Sequence, residues 1–96
     1  MYARIAEFQS TSKTNCDMMI VFLQNVMLLR NISNGQLSSE VFRINEKSGF
    51  IVSKFNSKKD ADKIIKLMAN ELNEFKGSTS INLIEVIEYF VLINNQ

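Results

Sequence analysis

The stretch FRINEKSGFIVSKFNSKKDADKII, from Phe42 to Ile65, contains two strand-like runs and the start of a helix with almost no linker between them. Val41, Phe42 and Ile44 suit one strand, and the apolar residues among 50–55 suit another. The polar run NEKSG at 45–49 is typical of a short hairpin loop, and its glycine suits a positive φ. The sequence therefore predicts an antiparallel hairpin that leads directly into a helix.

The residues after this hairpin predict an amphipathic helix. Ser57 with Asp60 three residues later is a short form of the capping box that begins many helices. Apolar residues then recur at the three-and-four spacing of one helical face, until Gly77 marks the end. This apolar face consists of Ala61, Ile64, Ile65, Met68, Leu72 and Phe75. We expect that face to pack against the sheet to which the hairpin belongs.

Residues 13–32 predict a longer helix nearer the start of the chain. Its apolar face comprises Cys16, Met19, Ile20, Leu23, Val26 and Met27, and is widened by Met18, Phe22 and Leu29. The resulting arc covers about 200°, whereas about 100° is enough for an ordinary core. Asp17, Gln24 and Asn31 mark the exposed side, and Gly35 is a plausible C-terminal cap. The surplus predicts either a ligand pocket beside this helix or packing against the second helix or a partner subunit.

Both ends of the chain predict strands. Residues 2–8, YARIAEF, alternate loosely between apolar and polar side chains. Residues 81–94, INLIEVIEYFVLIN, are rich in branched and aromatic residues and predict an unusually long strand. Both faces of this last strand are mainly apolar, so we expect it to lie inside a sheet that is covered on both sides.

The order of elements is strand, helix, strand, strand, helix, strand. It predicts an α+β fold of the ferredoxin-like βαββαβ kind, with residues 1–96 forming a single domain. Two right-handed crossovers put both helices on one face of a four-stranded antiparallel sheet. The opposite face is apolar yet uncovered, and a large exposed apolar patch is unusual in a monomer. The sequence therefore predicts a homodimer.

The composition excludes several classes of function. Eleven basic and ten acidic residues give a net charge of +1, without the basic stripe of a nucleic-acid-binding protein. The chain has no histidine and one cysteine, Cys16, on an apolar helical face, so neither a metal site nor an organic cofactor is expected. The longest apolar run, MMIVFL at 18–23, is too short to span a membrane. A cytoplasmic location is the expectation, since a lone cysteine suits a reducing compartment.

Two side chains, Glu7 and Tyr89, are candidates for ligand contact. Strand alternation puts Glu7 on the face of Ala3 and Ile5, and Tyr89 on the face of Leu83. The alternation does not decide whether either face meets the helices or a partner sheet. If an apolar pocket lies between the first helix and the sheet, Glu7 is the proton acceptor to test there and Tyr89 the hydrogen-bond donor.

The passage EVFRINEKSGFIVSKFNSKKDADKI at 40–64, the long first helix and a terminal strand with two apolar faces resemble the dimeric α/β-barrel family. Small antibiotic-biosynthesis-monooxygenase-like domains are the most similar members in length. The resemblance implies that two sheets pack face to face, that the terminal strand reaches towards the partner, and that a substrate lies between helices and sheet. Haem-degrading members rely on Asn, Trp and His, and this chain has no Trp or His, so haem degradation is not implied.

Two functions from different classes remain open. One is a small dimeric binding or accessory protein that holds a small apolar molecule. The other is a cofactor-independent monooxygenase-like or isomerase-like enzyme for a small aromatic or polyketide-like substrate, acting through shape, desolvation and a Tyr or Glu. The shortage of catalytic side chains favours the first.

Overall fold

The computed structural model describes residues 1–94, and within them a four-stranded sheet carries its helices on one face. The elements are β1 (Tyr2–Ser10), α1 (Lys13–Phe22), a π-helical turn (Leu23–Met27), α2 (Leu28–Ser33), β2 (Ser38–Arg43), β3 (Ser48–Phe55), α3 (Lys58–Phe75) and β4 (Thr79–Val86). We call the continuous run of α1, the π-helical turn and α2 the first helix. The strands follow the order β2-β3-β1-β4, and all neighbouring pairs are antiparallel. This is the ferredoxin-like βαββαβ arrangement, so the predicted fold class is confirmed.

The pairing register decides which strand residues meet the helices. Even-numbered residues of β1 and odd-numbered residues of β3 and β4 point towards the helices and form what we call the helix face of the sheet. Phe8 and Phe55 are buried on this face, each in its own cluster. Phe8 packs with Cys16 of α1, whereas Phe55 packs with Ile64 of α3. Odd-numbered residues of β2 share the helix face through their pairing with β3, and the remaining strand residues form the open face, which carries no helix.

The hairpin and the helix starts follow the local sequence signals. Asn45 Oδ1 accepts hydrogen bonds from the backbone N–H groups of Lys47 and Ser48 at 2.9 and 3.0 Å, which closes the loop between β2 and β3. Ser57 Oγ accepts from the Asp60 N–H at 3.3 Å, as predicted for the start of α3. Only residues 56 and 57 separate β3 from α3, so the strand does lead almost directly into its crossover helix.

The sequence predicts that Gly49 adopts a positive φ in the hairpin loop, and this prediction is wrong. Gly35, after the first helix, has a positive φ of 106°, but Gly49 does not adopt one. A Cβ atom at Gly49 would instead lie 2.2 Å from the Phe42 carbonyl oxygen and 2.7 Å from Cζ of Phe8. The glycine is required because the Phe8 ring and the neighbouring strand approach its backbone too closely for any side chain.

We predict that Gly49→Ala destabilises the fold by about 3 kcal/mol, because backbone atoms cannot move aside for the added methyl group. For a domain of this size the melting temperature should fall by about 12 °C or more. Gly77→Ala is the matched control, since a Cβ there meets nothing within 4 Å. Equal melting temperatures for the two variants would contradict this account.

The facing predicted for the first helix is confirmed at Leu23 and Met27, but it is wrong at Val26 and Asn31. Cys16, Met19 and Leu23 are buried, but Val26, expected inside, is exposed and Asn31, expected outside, is buried. The cause is the π-helical turn, in which the Leu28 N–H bonds to the Leu23 carbonyl five residues back. One extra residue in a turn rotates everything after it by about 100°. Asn31 consequently takes the inward position that residue 30 would have in an unbroken α-helix.

The last strand is shorter than predicted and lies at an edge of the sheet. β4 ends at Val86, which pairs with Ala3 close to the start of β1. β1 is the neighbour of β4 in the sheet, so β4 has no pairing partner beyond the first residue of β1. The residues from 87 to 94 continue without regular structure, and Ile87 and Leu92 are 84% and 88% exposed. The expectation of a strand buried inside the sheet is therefore wrong for the single chain.

Candidate ligand cavity

A cavity lies between the helix face of the sheet, the first helix and α3. Its floor is formed by strand residues such as Ala6, Ile51 and Leu83, and its walls by residues of both helices. The helical lining residues are Met19, Leu23, Met27, Leu28, Asn31, Ala61, Ile64, Ile65, Met68, Leu72 and Phe75. At the side of the cavity Phe22 of α1 meets Phe75 of α3 edge to face, with ring centres 5.7 Å apart. The cavity therefore occupies part of the layer where a solid core would be expected.

The cavity is small and its wall is almost wholly apolar. Its volume is about 70 Å³, whereas a single buried water needs roughly 10–15 Å³. Water gains few hydrogen bonds against carbon and sulfur, so such a space favours an apolar guest. Met19, Met27 and Met68 line it, and methionine side chains rearrange more readily than branched ones to admit a larger molecule.

The cavity opens towards β4. Ile81 and Leu83 line it, yet they remain 37% and 48% exposed. These two residues stand on the edge strand, where neither helix covers the sheet completely. A ligand would enter on this side, past apolar side chains.

Ion pairs fix the framework around the cavity. Arg4, which lines it and is buried, bonds to Asp62 Oδ1 at 2.6 Å and to Glu85 Oε1 at 3.2 Å. The hydrogen bond from Arg4 lowers the pKa of Asp62. Arg30 on α2 pairs with Glu71 on α3; burial alone would raise the pKa of Glu71, but hydrogen bonds from Arg30 and from its own backbone N–H hold it below its ordinary value. Both acids are therefore ionised near neutral pH and tie the helices to each other and to the sheet.

Asn31 is a buried polar group of this cavity, although the helical period predicts it on the exposed side. Its side chain is 1% exposed, and its Nδ2 lies 3.1 Å from the Met68 sulfur. Its Oδ1 accepts from the Arg30 guanidinium at 3.2 Å. The apolar run VMLL at 26–29 is no distinct signal of this change of phase, because the apolar run at 18–22 lies in the regular helix α1.

Glu7 does not line this cavity. It points to the open face, where it is exposed and accepts a hydrogen bond from Asn82 Nδ2 at 3.1 Å. There it borders a second, shallower depression together with Gln9, Ser48 and Ser80. Any ligand contact by Glu7 would therefore take place on the open face.

Tyr89 also lies away from the cavity. It lies beside Lys54, whose side chain is on the open face. Strand alternation would have kept it on the face of Leu83, but the strand ends at Val86 and the chain turns. Lys54 Nζ lies 5.2 Å from the centre of the Tyr89 ring, and the hydroxyl is 4.0 Å from the Met1 sulfur. As ligand-contact residues, Glu7 and Tyr89 stay predictions, and they apply to the open face rather than to the helix–sheet cavity.

The open face is apolar over much of its area. Ile5 pairs with Val52 on one side and Ile84 on the other, which produces an apolar row across three strands. Phe42 and Phe50 stack beside this row with ring centres 4.8 Å apart. Ile84 and Phe42 are 41% and 42% exposed, and the apolar residues that follow β4 add to the exposed apolar area of the chain. A surface of this kind is typical of an interface between protein chains.

Two features are absent from the described part of the chain. Among residues 1–94, no three Cys, Asp or Glu side chains come together in a way that suits a metal ion. None of the helices in this range has the length and hydropathy needed to cross a bilayer.

Comparison with known proteins identifies the fold. No protein-family model and no curated protein sequence matches the chain. Solved structures do match it over nearly its whole length: a dimeric ferredoxin-like protein from an uncultured marine organism has a TM-score of 0.73 and 15% identity, with 98% of this chain and 100% of that one covered. The chain therefore has the fold of the dimeric ferredoxin-like, or dimeric α/β-barrel, proteins.

Two other similar structures have names that describe an activity. A protein of Deinococcus radiodurans, described as a candidate antibiotic biosynthesis monooxygenase, has a TM-score of 0.78 and 11% identity, with 100% and 99% of the two chains covered. SnoaB of Streptomyces nogalater, a cofactor-independent oxygenase, has a TM-score of 0.76 and 5% identity, with 97% of each chain covered. The structural neighbours thus include antibiotic-biosynthesis-monooxygenase-like proteins, as the sequence resemblance implied. At these identities the likeness concerns the fold.

Proposed function

We propose that the protein is a homodimeric binding or accessory protein that holds a small apolar molecule in the cavity between its helices and its sheet. The observation that carries this proposal is the cavity itself, because a well-packed domain of this size would fill such a space with side chains. The nearly complete lack of polar wall atoms supports an apolar ligand.

The dimer is supported by the open face and by the residues that follow β4. The row of Ile5, Val52 and Ile84 has no helix above it. Two copies that pack these rows against each other would bury both, which a closed twofold arrangement achieves without leaving a free apolar surface. Two structural neighbours are described as dimeric ferredoxin-like proteins, which supports a dimer here.

Ligand binding is tested by filling the cavity. Ala6 lies on the cavity floor, and Ala6→Leu places a larger side chain in the space proposed for the ligand. We expect wild-type protein to bind methylenecyclohexane, seen as shifts of the methyl NMR signals of the cavity methionines, and Ala6→Leu to bind it at least about tenfold more weakly.

Ala69→Leu on the exposed side of α3 is the matched control and should bind as wild type does. The proposal fails if wild-type protein shows no saturable binding, or if Ala6→Leu binds the probe as well as wild type.

A cofactor-independent monooxygenase-like or isomerase-like activity on a small aromatic or polyketide-like substrate is the second candidate, favoured by the structural likeness to SnoaB. The polar residues of the cavity wall are Arg4, Asn31, Gln36 and Ser53, none of which is an ordinary general base. The binding function is therefore the better supported of the two. Native mass spectrometry to find a bound molecule, followed by oxygen-uptake measurements with quinol-like compounds, distinguishes them: uptake that Ala6→Leu abolishes would establish the enzyme.

A further inference from the structure

We propose that Asn31 is the polar anchor of the cavity, and that the ligand is an apolar molecule carrying one hydrogen-bond acceptor, such as a carbonyl oxygen, that binds Asn31 Nδ2. This inference rests on the proposed binding function and specifies the chemistry of its ligand. It begins from the buried Asn31 amide, which lies in an otherwise almost wholly apolar wall.

The Asn31 amide is poorly satisfied as a donor. Nδ2 has two hydrogens, and within residues 1–94 its one acceptor is the thioether sulfur of Met68. A thioether is a weak acceptor, and a buried amide that lacks a good partner is costly. Met68 also lines the cavity and has a flexible side chain, so a carbonyl oxygen that enters beside it offers the amide a stronger partner.

The surroundings of Asn31 hold its amide in one orientation. Oδ1 accepts from the Arg30 guanidinium at 3.2 Å, and Arg30 in turn pairs with Glu71 of α3. Because a guanidinium has only donors, the oxygen must face Arg30 and the nitrogen must face Met68. The Asn31 amide therefore acts as a hydrogen-bond donor, and it selects ligands that carry a hydrogen-bond acceptor.

The backbone supports the same conclusion. The π-helical turn at Leu23–Met27 is what turns Asn31 inward, and in an uninterrupted α-helix this residue would face solvent. π-turns within α-helices are uncommon and occur often at functional sites. In this chain the turn places the amide against the cavity.

Two shape-matched probes test the anchor: cyclohexanone, which carries an acceptor oxygen, and methylenecyclohexane, which has a CH₂ group in its place. The measured quantity is the ratio of their dissociation constants, read from the methionine methyl signals of the full chain. In Asn31→Leu we expect the preference for cyclohexanone over methylenecyclohexane to fall about threefold to tenfold, the effect of one hydrogen bond. In Met68→Leu, a volume-conserving change, the preference should rise because the competing sulfur is removed.

Each outcome has a defined meaning. If both probes bind but the ratio is the same in wild type and Asn31→Leu, Asn31 is only structural and the anchor is overturned while the cavity function stands. If neither probe binds wild-type protein, the cavity function and the anchor both fail. Should Asn31→Leu not fold, Met68→Leu decides: a rise in the preference for cyclohexanone supports the anchor, and an unchanged or lower preference overturns it.

Discussion

Ile64→Asp is expected to unfold the domain. Ile64 is 1% exposed and packs with Phe55 and Ala61 between α3 and the sheet. Aspartate there must bury an unpaired carboxylate or be protonated, and either state costs several kcal/mol against a total stability of about 5–15 kcal/mol for a typical domain. Circular dichroism at 25 °C should show loss of the helical signal or a melting temperature lower by at least about 15 °C.

Lys63→Asp is the matched control because Lys63 is the exposed neighbour on the same helix. Its substitution changes one exposed charge in the second turn of α3, and surface substitutions of this kind usually alter stability little. The melting temperature should change by no more than about 3 °C. Comparable losses in the two variants would show that the assigned helix face is wrong.

Ile84→Asp is expected to convert the protein from dimer to monomer. Ile84 is 41% exposed in the single chain, so the substitution costs the isolated fold little, but the proposed interface would bury the new charge. A buried unpaired charge costs about 3 kcal/mol or more, and twofold symmetry introduces it twice. The dissociation constant should therefore rise by more than about a thousandfold.

The control for this prediction is Leu67→Asp. Leu67 is 38% exposed, close to the value for Ile84, but it lies on α3 rather than on the open face. Light scattering at micromolar concentration should give about 22 kDa for wild type and Leu67→Asp, twice the chain mass of 11.0 kDa, and the monomer mass for Ile84→Asp. A monomer mass for the wild-type protein would contradict the proposed dimer.

Patterns that depend on neighbouring residues were sufficient to predict the fold. The hairpin with its polar loop and the Ser57 cap each identify an element without reference to the rest of the chain. The apolar face of α3 agrees with its buried residues Ala61 and Ile64. Because every connection was short, the order of these elements left few possible topologies.

The candidate site was harder to predict because it depends on departures from regular geometry. A regular period of 3.6 residues predicts Asn31 on the outside of the first helix, but the π-helical turn breaks that period. Strand alternation predicts a strand face for Tyr89, but the strand ends three residues earlier, where β1 no longer offers a partner. Even for Glu7, whose strand was predicted correctly, the sequence left both faces open, and the pairing of β1 with β3 and β4 decided between them.

In the proposed dimer, two copies of the chain cover each other's open face while each keeps an apolar cavity free for a ligand. A crystal structure of the protein under xenon pressure tests both parts at once, since xenon enters dry apolar cavities. We expect xenon between the first helix and the sheet, beside Met27 and Met68, and a twofold partner whose sheet buries Ile84. A helix–sheet layer without xenon, or an open face in contact with solvent, would contradict it.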